Sequence, residues 1–583
     1  MKVPAIDDNS TLPDVLLLRV RESGDDIAYR QYRDGAWHDL SWNDFAQGVA
    51  RWQAALRAEG YAPGDRVALC LQNRVEWALF DQAALGLGLV VVPLYFSDRP
   101  DNMAHCLNDA GARFLLVAEP GLWQQLRPQV NTIERVVCLS GTLAGDDKLK
   151  SLSDWLPASA PMVLERGPSK ASDLATLVYT SGTTGRPKGV MLTHHNIVSN
   201  LIALMDAVPQ MLERRHTFLS FLPLSHMFER TVGYYIPVAI NAQVTYARSV
   251  RELSEDLVTQ KPTVIVTVPL IFERIYTKID AEIPAGSPKR RLFDSAAEIG
   301  WRRFKGEATL RDRLLWPLLN ALVARKLRGR LGGNLAFIML GGAALPEHLL
   351  KIFTGMGLTF IHGYGLTETS PVASANRLSN NDPLSVGAPL RGVETRVTAH
   401  GELCVRGPLI MRGYWNKPEA TRAVVDADGW FHTGDKVEVR EGRIYIRGRI
   451  KDVIVLSNGE KVPPGDAEQA ILRDGAFEQV MVVGEGRPAL GLLAVTKIAD
   501  LDELCRRANA QLRDFPGYAK IRHVARMGDA WSIDNGLLTP TMKPKRAKIA
   551  ERYAAEIERM YRERTCSDKT AMSVETSEPL RGA

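Results

Sequence analysis

A bound polyphosphate needs many hydrogen-bond donors at once, and the stretch Tyr179-Thr180-Ser181-Gly182-Thr183-Thr184-Gly185-Arg186-Pro187-Lys188-Gly189-Val190 concentrates them. Thr180 to Gly189 carry three glycines, four hydroxyls and two cations. Glycine lets backbone N–H groups approach phosphate oxygens, hydroxyls add donors, and the cations offset the charge. A P-loop would need Gly-Lys followed by Ser or Thr. Here Lys188 precedes Gly189, and Val190 stands where the metal-binding hydroxyl would be, so that reading fails on spacing. On composition alone, the stretch also suits an ordinary turn after the apolar run Leu174–Val178.

Four further stretches could complete a nucleotide site. Leu335–Leu340 runs as an apolar strand into Gly341-Gly342-Ala343-Ala344, where bare backbone would let a flat ring slide in at the ligand-binding edge of a sheet. Gly363-Tyr364-Gly365-Leu366-Thr367-Glu368-Thr369 offers Tyr364 for stacking on adenine, Thr367 for an α-phosphate and Glu368 as a hard oxygen donor for Mg²⁺. The same Glu would also favour a plain helix N-terminus. Gly429–Asp435 places a carboxylate on a Gly-bounded turn, suited to a ribose diol. The cationic loop Thr539-Pro540-Thr541-Met542-Lys543-Pro544-Lys545-Arg546 lies near the C-terminus.

In this order and spacing, the set resembles the adenylate-forming superfamily of acyl-CoA synthetases, luciferases and peptide-synthetase adenylation domains, over about residues 12–560. Phe221–Arg230 and the basic segment Lys289–Arg330 most resemble long-chain fatty acyl-CoA synthetases. The resemblance implies ATP-dependent, AMP-forming activation of a fatty acid through an acyl-adenylate to acyl-CoA. ATP, Mg²⁺ and coenzyme A would be the cofactors. Thr180, Ser181, Gly182, Thr183, Thr184, Gly185 and Lys188 would hold phosphate, with Thr184 and Glu368 on the metal. Gly341, Gly342, Ala343 and Tyr364 would take adenine, and Asp435 and Arg449 the ribose. His226 and Phe228 would lie near the acyl and thiol channel, Lys451 would be a hinge, and Gly459 would border a pantetheine tunnel. Lys543 falls at the catalytic lysine position. The family commonly has Gly before that lysine and this chain has Met542, which keeps Lys545 as a substitute. Two alternatives are an acyl-AMP ligase that donates to a carrier protein and a catalytically silent nucleotide or acyl-CoA sensor.

The elements that must position these residues alternate strand and helix: a helix from Trp42, a strand Asp65–Cys70, a helix Glu76–Leu87, and strands at Val90–Pro93 and Arg113–Ala118. That order predicts an α/β fold with mainly parallel, helix-covered sheets. Thr142–Lys170 reads as a connection, and Thr193 as a helix N-cap. Valine and turn density over Pro383–Gly413 predicts a small β-rich subdomain. The expected domains are 1–450, binding ATP and acyl group, and a mobile α+β domain, 451–565, carrying the lysine, with a tail over 566–583.

At 583 residues and net charge +6, with 45% hydrophobic and 24% charged residues, the composition is that of an ordinary globular chain. Lys289–Arg330 holds twelve cations against four acids, a net +8. It reads either as solvated helical faces or as a patch attracting anionic lipid or coenzyme A, and of Phe293, Trp301, Phe304, Leu314, Leu315 and Trp316 in its two helical patterns the aromatics are expected to fill core. No groove-reading motif accompanies it, so no nucleic-acid role is expected. The run Ala83–Phe96 spans 14 residues, short of the ~20 needed to cross a bilayer. No basic segment precedes the N-terminal apolar run, so no leader is expected. Cys70, Cys106, Cys138, Cys404, Cys505 and Cys566 are scattered without metal spacing. Reduced thiols, no structural zinc and a cytoplasmic location are expected, with the basic patch allowing attachment to the inner face of a membrane.

Overall fold

The computed structural model describes residues 5–159, 163–180, 186–343, 345–540, 542–563 and 566. The chain divides into two units between Ile446 and Arg447. In the first, short all-buried strands such as Val90–Pro93, Phe114–Val117 and Val264–Thr267 occupy the middle of two large sheets. Burial on both faces explains why they read as unbroken apolar runs. One sheet pairs Arg66–Cys70, Val90–Pro93, Phe114–Val117 and Arg135–Cys138 in parallel. Its other end is an antiparallel hairpin, Leu174–Thr180 with Lys188–Thr193. The other sheet carries Thr217–Ser220, Val264–Thr267, Phe337–Leu340 and Phe360–Tyr364, all parallel. A four-stranded sheet over Glu394–Arg449 makes the β-rich part. The expected α/β class is therefore the observed one.

Local chemistry sets the helix ends. Ser41 accepts from the Asp44 N–H ahead of Trp42–Ala58, and Thr193 accepts from Asn196 ahead of His194–Ala207. The connection expected over Thr142–Lys170 needs correction. Leu149–Ser151 pairs with Arg135–Cys138, and a helical turn follows at Leu152–Trp155, because Trp155 is buried against Trp52 and Phe114.

The first unit is also tied together by a buried ion pair. Arg230 donates to Asp81 and, at 2.8 Å, to Thr176 Oγ1, while Tyr235 donates to Asp81 at 2.9 Å. The strand Leu174–Thr180, the helix Val75–Gly86 and the π-helical turn Glu229–Tyr235 thus share one polar knot in an apolar core.

In the basic segment, helices Pro288–Phe304 and Leu310–Leu319 form, followed by Asn320–Ala324 and Arg325–Arg330. The expectation that its aromatics fill core holds for Phe293 and in part for Trp316, which packs half-buried against the same cluster. Phe304, Leu314 and Leu315 face outward.

The second unit has a hairpin, Ile454–Val455 with Lys461–Val462, and a sheet of Phe477–Val483, Leu490–Thr496 and Ile521–Met527 covered by Leu501–Gln511. Cys505 and Cys566 are joined by a disulfide across 61 residues, which corrects the expectation of six free thiols. Neighbouring folding, not sequence spacing, brings them together: Cys566 N–H bonds Arg522 O beside the strand that the Cys505 helix covers. Among the described residues no helix is long and apolar enough to cross a membrane.

Candidate functional site

Thr180 and Lys188 are paired at the open end of the hairpin, so the two ends of the glycine- and hydroxyl-rich turn are fixed in register. Ser181, Gly182, Thr183, Thr184 and Gly185 lie outside the described residues. A two-residue strand, Gly413–Tyr414, adds to the hairpin edge opposite Met191 and Val190. That register brings the Lys188 ammonium over the Tyr414 ring, 5.1 Å from its centroid. The Tyr414 hydroxyl donates to Glu368 Oε1 at 2.8 Å, and Glu368 O accepts from Met411 N–H at 2.9 Å. A cation and a carboxylate far apart in sequence are therefore linked through one aromatic ring. Tyr414 went unnoticed in the sequence because it sits 46 residues from Glu368 and outside any glycine-rich run. The signal that would have found it is the Gly413-Tyr414 pair, short enough only to cap a sheet edge.

The other predicted residues of the first unit gather where parallel strands end. Leu340 is in register with His362, so Gly341–Ala343 and Tyr364 leave neighbouring strands at the same edge. At Gly341 a Cβ would lie 2.8 Å from the Phe228 ring, which would have to shift to admit it. Gly342 has φ +79°, a left-handed conformation that glycine adopts without strain. Gly365 has no room either, since an added Cβ would sit 1.8 Å from the Pro371 carbonyl. The Tyr364 hydroxyl donates to Asp435 Oδ2 at 2.6 Å, and Thr433 Oγ1 holds the Asp435 N–H at 3.1 Å. Thr367 opens the 3₁₀ turn Thr367–Thr369 directly beside Glu368.

His226 stands in the turn before the π-helical segment, where its Nδ1 accepts from the Phe228 N–H at 3.2 Å and its carbonyl from Arg230 N–H. Just beyond it, Glu229 is wholly buried. Ser220 donates to its Oε1 at 2.6 Å, and burial pushes its carboxyl up to about 8.

In the second unit, Arg449 ends the strand Arg443–Arg449 and Lys451 follows in the 3₁₀ turn Ile450–Asp452. Gly459, with φ +85°, closes the turn of the small hairpin, its N–H bonded to Leu456 O. Lys543 is exposed on a tight loop: its N–H bonds Thr539 Oγ1 at 3.0 Å, and its carbonyl accepts from Thr539 N–H at 2.8 Å. Lys545 instead starts the helix Arg546–Arg552, its N–H held by Leu537 O. Met542 has φ +63°, where glycine is favoured.

Outside this constellation, Glu402, Cys404 and His432 bring donor atoms within 4.8 Å of one another from two paired strands, a grouping that sequence spacing conceals. Their mutual contacts, His432 Nδ1 with Glu402 at 3.1 Å and with Cys404 Sγ at 3.4 Å, tie those strands together.

The family described as AMP-binding enzyme matches residues 18–415. The chain belongs to that family. Its C-terminal domain, described as AMP-binding enzyme C-terminal domain, matches residues 451–565. Among curated relatives, the long-chain-fatty-acid–CoA ligase FadD15 of Mycobacterium bovis is 32% identical over 93% of this chain and 95% of its own. The chloroplastic long-chain-fatty-acid–[acyl-carrier-protein] ligase AEE15 of Arabidopsis thaliana is 28% identical over 94% and 86%. Among solved structures, the A domain of carboxylic acid reductase from Segniliparus rugosus, bound to AMP and a carboxylic acid, superposes with a TM-score of 0.76. It is 20% identical over 94% of each chain and shares the fold.

Proposed function

We propose that this AMP-binding enzyme joins a long-chain fatty acid to coenzyme A in two steps. The fatty carboxylate attacks the α-phosphate of ATP, giving acyl-adenylate and pyrophosphate. The thiol of coenzyme A then attacks the acyl carbon, giving acyl-CoA and AMP. The observation that carries this reading is the pair of tethers on one segment, Tyr364 to Asp435 and Glu368 to Tyr414, set beside the Lys188 end of the hairpin. The carboxylate and the α-phosphate both carry negative charge, so their approach is governed by how well the protein offsets that charge.

Lys188 meets the phosphates at the mouth of the turn, and Thr367 donates to the α-phosphate. Asp435, already oriented by the Tyr364 hydroxyl, accepts from the ribose hydroxyls, and Arg449 donates to them. Gly341–Ala343 leave backbone open for the adenine ring beside Tyr364, and His226 and Phe228 flank the acyl and thiol path. Glu368 fits Mg²⁺: it is a carboxylate, a hard donor, with Oε1 held in place by a neutral hydroxyl rather than by a cation. With Thr184 it would hold the ion, which when bound supplies charge neutralisation on the phosphates. Lys543 bridges carboxylate and α-phosphate in the first step. Rotation at Lys451 then withdraws it and brings the Gly459 turn to the thiol path.

The test is pyrophosphate release over free fatty acids from short to long chain, with and without coenzyme A. Long acids should be turned over fastest, with AMP release dependent on coenzyme A. AMP release that depends on an acyl carrier protein instead would replace the second step, and no pyrophosphate release with any acid would remove the first.

A further inference from the structure

We infer that the helix Leu310–Leu319 and the turn after it form a docking face for an anionic lipid surface. Leu310 is 75% exposed, Leu314 73%, Leu318 57% and Leu322 44%. They recur every four residues, which aligns them along one side of a helix. The opposite side is anchored. Asp312 is buried and takes Arg302 through both oxygens, at 2.7 and 2.9 Å, and the Thr309 N–H through one of them. Leu319 is buried in the neighbouring core, and Arg303 lies 5.2 Å from the Trp316 ring centroid. These contacts fix which side of the helix points outward, and that side is leucine.

The charge around this face selects the occupant. Arg311 and Arg313 on the helix, and Arg325 and Lys326 on the next, are exposed and enter no ion pair among the described residues. Exposed apolar side chains in line cost solubility, and contiguous patches of them mark interaction sites. Exposed leucines on one helix, with exposed cations beside them in the chain, suit a fluid interface: leucines enter the acyl boundary while the cations meet anionic headgroups. The face shares no residue with the proposed nucleotide-binding set and stands whether or not the proposed reaction is right. If that reaction holds, docking would bring the enzyme to the phase where a long-chain acid resides.

Sedimentation of the 583-residue chain with phosphatidylcholine–phosphatidylglycerol vesicles, without substrate, tests it. The wild type should bind these vesicles and bind phosphatidylcholine alone more weakly, with the difference fading at high salt. Leu310→Ser/Leu314→Ser/Leu318→Ser should lose more than about tenfold in vesicle affinity, from the apolar area no longer buried. Arg311→Glu/Arg313→Glu should lose affinity for anionic vesicles only. Both variants should keep the parent's far-ultraviolet circular dichroism and its pyrophosphate release with a short, soluble acid. Unchanged vesicle binding by the folded leucine variant would overturn the inference. So would a change in association state by light scattering with vesicle binding intact, which would assign the face to a second copy of the chain.

Discussion

Tyr414 is the residue on which the candidate site turns, because one ring contacts Lys188 and its hydroxyl orients Glu368. Tyr414→Phe keeps the ring over the ammonium and deletes only the hydrogen bond. A hydrogen bond to a charged group is worth roughly 1.5–3 kcal/mol, so pyrophosphate release should fall by a factor between about ten and about a hundred and fifty. Steady-state rates across a magnesium titration will show whether the loss is largest at low metal, as expected for a less well-held carboxylate. Glu229 makes a different prediction, about pH. Burial raises its folded carboxyl to about 8, above its ordinary value of 4.5. The folded state therefore holds the proton more tightly than the unfolded chain does. Stability from this group is fully present below about 4.5 and is lost as pH rises through about 8. Glu229→Gln keeps an uncharged group of the same shape, so its thermal midpoint should fall less than the wild type's between those two values. Parallel wild-type and variant curves would mean that Glu229 ionises without cost.

At the scale of elements, the knot of Asp81, Arg230, Thr176 and Tyr235 holds a helix, a π-helical turn and the strand that enters the phosphate-loop hairpin. Asp81→Ala would strand the buried guanidinium of Arg230 and should cost about 3–5 kcal/mol, read from the denaturant midpoint of the first unit's tryptophan fluorescence. The loop carrying Lys543 offers the opposite sign. Met542 occupies a left-handed conformation, a strain of order 1 kcal/mol that Met542→Gly should relieve, raising the second unit's melting temperature. The expectation of glycine before this lysine was thus a backbone requirement, legible once the chain's Met was seen to adopt the same φ. Much of the scaffold was legible for a similar reason: Val90–Pro93 and Val264–Thr267 are buried on both faces and must read as apolar runs, and Ser41 and Thr193 advertise their helix starts. Contacts between distant elements were not legible. Tyr414 meets Glu368, Arg230 meets Asp81 and Cys505 meets Cys566 only after sheets and helices have packed, and no local period records such meetings. The outward turn of Leu314 was hidden because an i,i+4 leucine repeat looks the same whether it faces core or solvent.

At the scale of the whole molecule, the two units supply different chemistry to the proposed pair of steps. The first contains the phosphate-loop hairpin, Glu368, Tyr364 and Asp435, and the second contains Lys543 and the Gly459 turn. A lysine that neutralises the approach of carboxylate to α-phosphate matters only while the adenylate forms. Lys543→Ala should therefore lose acyl-adenylate formation by a factor of about a hundred or more, the scale of removing one electrostatic stabiliser. Thioester formation from supplied acyl-adenylate should stay near the wild-type rate. Lys451→Pro fixes φ and removes an N–H at the proposed hinge, so it should leave the first half-reaction and slow the second. The two half-reactions can be measured apart, as pyrophosphate release in single turnover without coenzyme A and as thioester formation from synthetic acyl-adenylate. Equal loss of both in Lys543→Ala would show that the lysine serves substrate binding or folding rather than the first transition state. Retention of both would pass the role to Lys545, with Lys545→Ala as the next variant in the same pair of assays. Opposite selectivity in the two variants would be hard to obtain from general destabilisation, since an unfolded second unit depresses both steps together.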